Sequence, residues 1–189
     1  MVSVTGEDHR VYNNLMEDFN YMVTEAAGIN MSKDRTETYS RDHKIAYNTL
    51  RSSAGGGMFF KTALNSDPDY PGLYRIHHNK IYDILHRMWD VGALTTVGTY
   101  MQEMRIDHNI IFGGSDFLQF GIYLDYGNPE VGVQADHNVV YDFWSPIGGN
   151  NFVDVQLNNN VSINTRVAHG FMPNGIHSGK DSDDNRQVE

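Results

Sequence analysis

Arg75-Ile76-His77-His78-Asn79-Lys80-Ile81-Tyr82-Asp83 is followed, 30 residues on, by Arg105-Ile106-Asp107-His108-Asn109-Ile110-Ile111. Each stretch runs from a basic residue through Ile and two further residues to Asn, with another apolar residue two places later. Val11-Tyr12-Asn13-Asn14, Ile45-Ala46-Tyr47-Asn48, Ala135-Asp136-His137-Asn138 and Leu157-Asn158-Asn159-Asn160 share the frame, and the six Asn are spaced by 34, 31, 30, 29 and 22 residues. Self-similarity with a period of 20 to 50 residues marks a solenoid.

The columns of this alignment predict strands. Three places before the Asn stand Val11, Ile45, Ile76, Ile106, Ala135 and Leu157, all apolar. Four places before it stand Arg10, Lys44, Arg75, Arg105, Gln134 and Gln156, all polar. Neighbouring positions facing opposite ways is strand behaviour. A second column, Gly28-Ile29, Gly57-Met58, Gly92-Ala93, Gly121-Ile122 and Gly175-Ile176, opens another apolar run in each repeat. Strands one repeat apart that stack in register form parallel sheets with a spacing of about 4.8 Å. The fold expected is all-β: a right-handed parallel β-helix of about six coils with loop insertions. Stacked Asn amides can hydrogen-bond along the axis, and Asn tolerates the left-handed backbone of a sharp corner. Leu15, Phe19, Met22 and Ala26 also fit helical spacing, so a short helix or turn within 12–27 is the local alternative.

The chain has 189 residues, 40% of them hydrophobic, and no Cys, which excludes disulfides and thiolate metal sites. Its net charge of -10 argues against nucleic-acid and anionic-membrane partners. No apolar run reaches the roughly 18 residues of a membrane span. Residues 1–178 are expected to form the solenoid and 179–189 a polar, disordered tail. Since the pattern begins by residue 11 without an amphipathic cap, the expectation is either an additional domain or chain that covers the ends or an excerpt of a longer β-helix. Neither a signal peptide nor a bound metal or cofactor is read from the chain.

Chemistry is expected on a groove along one sheet, walled by loops. Met88-Trp89-Asp90-Val91-Gly92 and Gly121-Ile122-Tyr123-Leu124-Asp125-Tyr126 each set a carboxylate beside aromatic rings. Aromatic faces suit sugar rings, and paired carboxylates suit glycosidic cleavage. Asp90 and Asp125, with Glu103 third, are the candidate acid and base. Trp89, Tyr123, Tyr126, Trp144 and Arg105 are candidate substrate contacts. Matching Gly92 to Gly121 sets Asp90 at the start of one strand and Asp125 near the end of the next, an expected separation of about 15–20 Å. His78, His108 and His137 are expected to stack at a corner. Lys44, Arg75 and Arg105 form an outer basic column facing Asp107 and Asp136.

Over residues 40 to 145 the succession of these segments resembles the right-handed parallel β-helix repeat proteins, and is most similar to bacterial β-helical glycoside hydrolases. The resemblance implies a secreted or periplasmic protein that cleaves a plant or algal polysaccharide with carboxylate acid/base chemistry. Polysaccharide lyases, epimerases and non-catalytic binding or structural segments share the repeat and are the alternatives. A lyase would draw its base from residues such as Lys61, His86 or Arg87.

Overall fold

The computed structural model describes residues 1–4, 6–21, 27–32, 42–61, 74–97, 104–114, 117–125, 133–150, 153–167, 170–171, 178–181 and 186–188. Among the described residues every strand pairing is parallel, and the strands form three seven-stranded sheets. The first sheet holds Val2–Val4, Ala27–Ser32, Gly56–Lys61, Val91–Val97, Gln119–Asp125, Ser145–Asn150 and Gly170–Phe171. The second holds Arg10–Tyr12, Lys44–Ala46, Tyr74–His77, Met104–Asp107, Val133–Asp136, Val153–Asn158 and Ser178–Asp181. The third holds Leu15–Phe19, Thr49–Ser53, Lys80–Tyr82, Ile110–Gly114, Val139–Phe143, Val161–Ile163 and Arg186–Val188. The chain is therefore a three-sided parallel β-helix. The expected six coils are present, and a seventh set of strands follows them.

The core is a stack of matched rows. Ile45, Ile76, Ile106, Ala135 and Leu157 pair in series across the second sheet, and all are buried. Leu50, Ile81, Ile111 and Val140 do the same in the third, and Ile29, Met58, Leu94, Ile122 and Ile147 in the first. Each buried aliphatic side chain contributes about 1.5–3 kcal/mol relative to exposure. Leu15–Phe19 belongs to this third sheet, so the helical spacing around it is coincidental; Met22 and Ala26 lie outside the described residues.

The Asn column is a buried ladder. Asn79 donates its backbone N–H and its Nδ2 to Asn109 Oδ1, both at 3.0 Å. Asn109 repeats both bonds to Asn138, and Asn138 to Asn160. Each Nδ2 also reaches back one coil to a backbone carbonyl: Asn109 to Ile76 at 2.9 Å and Asn138 to Ile106 at 2.8 Å. The left-handed residue at this corner is the one before the Asn: Asn13, Tyr47, His78, His108, His137 and Asn159, with φ between 54° and 60°. A second left-handed column lies four places after the Asn, where Asp18, Ser52, Asp83, Gly113, Asp142 and Asn164 turn the chain toward the first sheet. These are mostly residue types that tolerate positive φ.

Two registers differ from expectation. Gly92 pairs with Phe120 rather than Gly121. The row that contains Gly57 and Gly121 lies against the third sheet's core side chains. A Cβ there would stand 2.6 Å from Ile81 Cγ2 at Gly57 and 2.3 Å from Val140 Cγ1 at Gly121. In the seventh coil Gly170 pairs with Gly148 in the row of Tyr123 rather than that of Gly121, and Gly175 lies outside the described residues. The polar stretch 179–189 supplies most of Ser178–Asp181 and all of Arg186–Val188, paired to the coil before. Backbone bonding to a preceding coil sustains strands that composition alone assigns to a tail. In sequence Asn185 stands directly before Arg186 as Asn160 stands directly before Val161.

Candidate functional site

Side chains on the outer face of a solenoid sheet normally meet solvent, yet Thr95 and Tyr123 on the first sheet are almost completely buried. The chain entering the Val91–Val97 strand folds back on them, with Gly92 bonded to Thr95 and Asp90 to the Tyr123 hydroxyl. Between Tyr82 and Val91 the chain makes a loop rather than a tight corner. Its Ile84 and Leu85 are buried in the core, and backbone bonds tie it to the previous coil, Leu85 N–H to Gly55 O at 3.1 Å and Arg87 N–H to Ala54 O at 3.1 Å. Gln119, 3% exposed, clamps the same loop by donating Nε2 to Leu85 O at 2.7 Å and Met88 O at 2.6 Å. The loop ends in Trp89, 78% exposed, and Asp90, exposed with φ 54°.

Asp90 and Asp125 meet at one hydroxyl. Tyr123 donates its OH to Asp90 Oδ1 at 3.1 Å, and Asp125 acts on the same hydroxyl by charge and by hydrogen bonding. Burial, then the charges of Asp125 and Asp90, push the phenol far above its ordinary value. Both carboxylates therefore stand beside one phenol. The separation of 15–20 Å expected from strand counting is overturned. Counting along straight strands ignores the chain's bend at Gly92, whose N–H bonds Thr95 Oγ1 at 2.9 Å while Thr95 Oγ1 donates back to Gly92 O at 3.1 Å. It also ignores the reach of the Tyr123 side chain.

Aromatic rings continue from this cluster. Phe120 stacks on Tyr123 with centroids 4.4 Å apart, and Trp144 meets Phe120 edge-on at 5.4 Å and Phe117 at 5.6 Å. His86, Arg87, Met88, Trp89, Phe117 and Gln119 line an adjoining depression of about 320 Å³. The structure thus gathers Asp90, Asp125, Trp89, Tyr123 and Trp144 along one face. Glu103 and Tyr126 lie outside the described residues.

Arg105 is elsewhere. It lies on the second sheet, with Nε and Nη2 on Asp136 at 2.9 and 3.0 Å, and Arg75 holds Asp107 the same way at 3.0 and 3.0 Å. Burial alone would raise both aspartates, but the hydrogen bonds from Arg75 and His108, and from Arg105 and His137, outweigh it and hold them below the ordinary carboxylate range. Arg105 is spent on this ladder, as the expected facing of the basic column and the aspartates foreshadows.

Phe117, Phe120 and Gln119 are the site residues that sequence reasoning missed. Their signal was local: Phe117-Leu118-Gln119-Phe120 directly precedes Gly121, where the strand opens. Compared with protein-family models, curated proteins and solved structures, the chain matches none.

Proposed function

We propose that the outer face of the first sheet binds and hydrolyses a glycan, with Asp90, Tyr123 and Asp125 as the acid/base set. The observation that carries this is the single buried phenol shared by the two carboxylates. A phenol has one proton to donate. That proton goes to Asp90, and Asp125 bears on the same phenol by its charge. In this reading one of the two carboxyl groups protonates the leaving oxygen and the other activates water. Trp89, Phe117 and Trp144 are the rings on which sugars would lie. A lyase that used Tyr123 as its base would need an accessible phenolate, and its raised pKa opposes that.

The test is reducing-end release from a panel of neutral plant and algal glycans, with Asp90→Asn, Asp125→Asn and Tyr123→Phe beside the parent chain. General acid–base catalysis contributes about 10²–10⁴-fold, so each Asn variant should lose on that order. Unchanged turnover in both Asn variants overturns the assignment. A second reading, glycan binding without turnover, is favoured by the phenol itself, which fills the gap between the carboxylates. Retardation of the parent chain on a glycan gel without product, abolished by Trp89→Ala, would select it.

A further inference from the structure

The corner between the second and third sheets carries a row of imidazoles that the proposed glycan face does not use. His78, His108 and His137 stack with ring centroids 5.0 and 4.9 Å apart and interplanar angles of 2°. His108 Nδ1 lies 3.0 Å from Asp107 Oδ2, and His137 Nδ1 lies 2.8 Å from Asp136 Oδ1. An ionised carboxylate only accepts hydrogen bonds, so each Nδ1 carries the proton and donates it. In the neutral ring Nε2 then presents its lone pair, on side chains 44% and 49% exposed. Both aspartates are buried, and the two-pronged grips of Arg75 and Arg105 fix them in turn. Tautomer and ring orientation are therefore set from below. A carboxylate that fixes one ring nitrogen so that the other presents a lone pair is the arrangement that holds metal-ligating histidines.

We propose that His108 and His137 form a surface site for a borderline divalent transition ion such as Zn²⁺ or Ni²⁺, bound through both Nε2 atoms with water in its other positions. Imidazole nitrogens sit about 2.0–2.1 Å from such an ion. Two of them at adjacent coordination positions are about 3–3.4 Å apart. The in-plane lone pairs of two parallel rings 4.9 Å apart do not converge, so both rings must turn toward each other about the broad χ2 torsion of His for both Nε2 atoms to reach one ion. His78 extends the row, but its Nδ1 meets His77 Nδ1 at 2.9 Å rather than a carboxylate, so the pair His78–His108 is less firmly oriented. Among the described residues no three metal-ligating side chains stand together, which makes this a two-imidazole, solvent-open site. The row lies on a different corner from the Asp90 cluster, and the site stands whether or not the chain acts on glycans.

The test is calorimetric titration of the full chain with Ni²⁺ alone, beside His108→Asn, His137→Asn and Asp136→Asn. Asn is the replacement of choice because Asn13 and Asn159 already hold this corner with φ of 57° and 54°. The parent chain should bind one ion saturably. His108→Asn and His137→Asn should each weaken binding at least tenfold, and Asp136→Asn, which keeps both ligands, by about tenfold or more. His86→Asn, whose ring instead meets Asp83 at 3.1 Å, should bind as the parent does. No saturable binding up to millimolar Ni²⁺, or parental affinity in the His108→Asn/His137→Asn double variant, overturns the proposal.

Discussion

Replacing Asn109 with Ala removes four hydrogen bonds from the middle of the ladder. Asn109 Oδ1 accepts from the backbone N–H and Nδ2 of Asn79, and its Nδ2 donates to Ile76 O and Asn138 Oδ1. Not all four losses are equal. Asn79 Nδ2 keeps its bonds to Ile45 O and His77 O, and Asn138 Oδ1 keeps the backbone N–H of residue 109. The Asn79 N–H loses its only such partner inside a buried corner. Taking about 1 kcal/mol for each lost bond and about 1–2 kcal/mol more for the stranded N–H gives a cost of about 5 kcal/mol. Asn14 sits at the partly exposed start of the ladder and only donates to it, so Asn14→Ala should cost about 1 kcal/mol. Denaturant unfolding reads both values. Amide exchange supplies a sharper check, because the ladder has a direction. Asn109→Ala should deprotect the amide of residue 79 and leave those of residues 109 and 138 protected, since their acceptors on Asn138 and Asn160 survive. Equal costs at positions 14 and 109, or symmetric loss of protection on both sides, would refute the account.

Gly121→Ala should destabilise by at least about 2 kcal/mol in a thermal melt, because its Cβ would lie 2.3 Å from Val140 Cγ1 and 2.7 Å from Pro146 O, and overpacking of this kind costs about 1–3 kcal/mol. Acid should weaken the fold through His43, which is fully buried against His9, its ring lowered to about 4 by burial first and by His9 second. The unfolded chain binds this proton near pH 6.5 and the folded chain only near 4, so stability is complete above about pH 6.5 and falls as pH drops between the two, by about 3 kcal/mol in all. His43→Phe should flatten that segment of the stability–pH curve; an unchanged slope in denaturation midpoints from pH 7 to 4.5 would count against it. Asp107 and Asp136, held low by their arginine and histidine partners, contribute in the same direction at still lower pH.

The columns that face the core or turn a corner were legible, because each is a constraint repeated in every coil. The Ile45–Ile76–Ile106 row and the Asn ladder needed only an alignment. Assigning left-handed geometry to the ladder Asn itself was a one-residue error. The amide is occupied by axial bonds, and the neighbour at position −1 takes the strained φ. The third sheet was hidden because its short strands follow the Asn at once and read as the tail of the second. The second left-handed column, Asp18, Ser52, Asp83, Gly113, Asp142 and Asn164, was open to the same alignment and marks where that sheet ends.

The candidate site was less legible because it lies where the repeat fails. The corner that Ser53–Gly56 crosses with two residues between strands, and Phe143–Ser145 with one, is replaced by the loop that ends in Trp89 and Asp90. The glycine of that coil is out of column, with Gly92 opposite Phe120 and Ala93 in the row of Gly57 and Gly121. An alignment forced through Gly92 and Gly121 erases that offset, and with it the bend that carries Asp90 to the Tyr123 hydroxyl. Tyr123 itself shares its outward row with Asn30, Phe59, Thr95 and Gly148, five different side chains where the core rows hold aliphatics. A row with no common chemistry is free of the stacking demand that fixes the ladder and the core. The departures coincide here: an inserted loop, a displaced glycine and a buried phenol between two carboxylates. Sites where local rules are broken together are where function is most often found in a chain that otherwise obeys them, and that coincidence makes Asp90, Tyr123 and Asp125 the first residues to mutate.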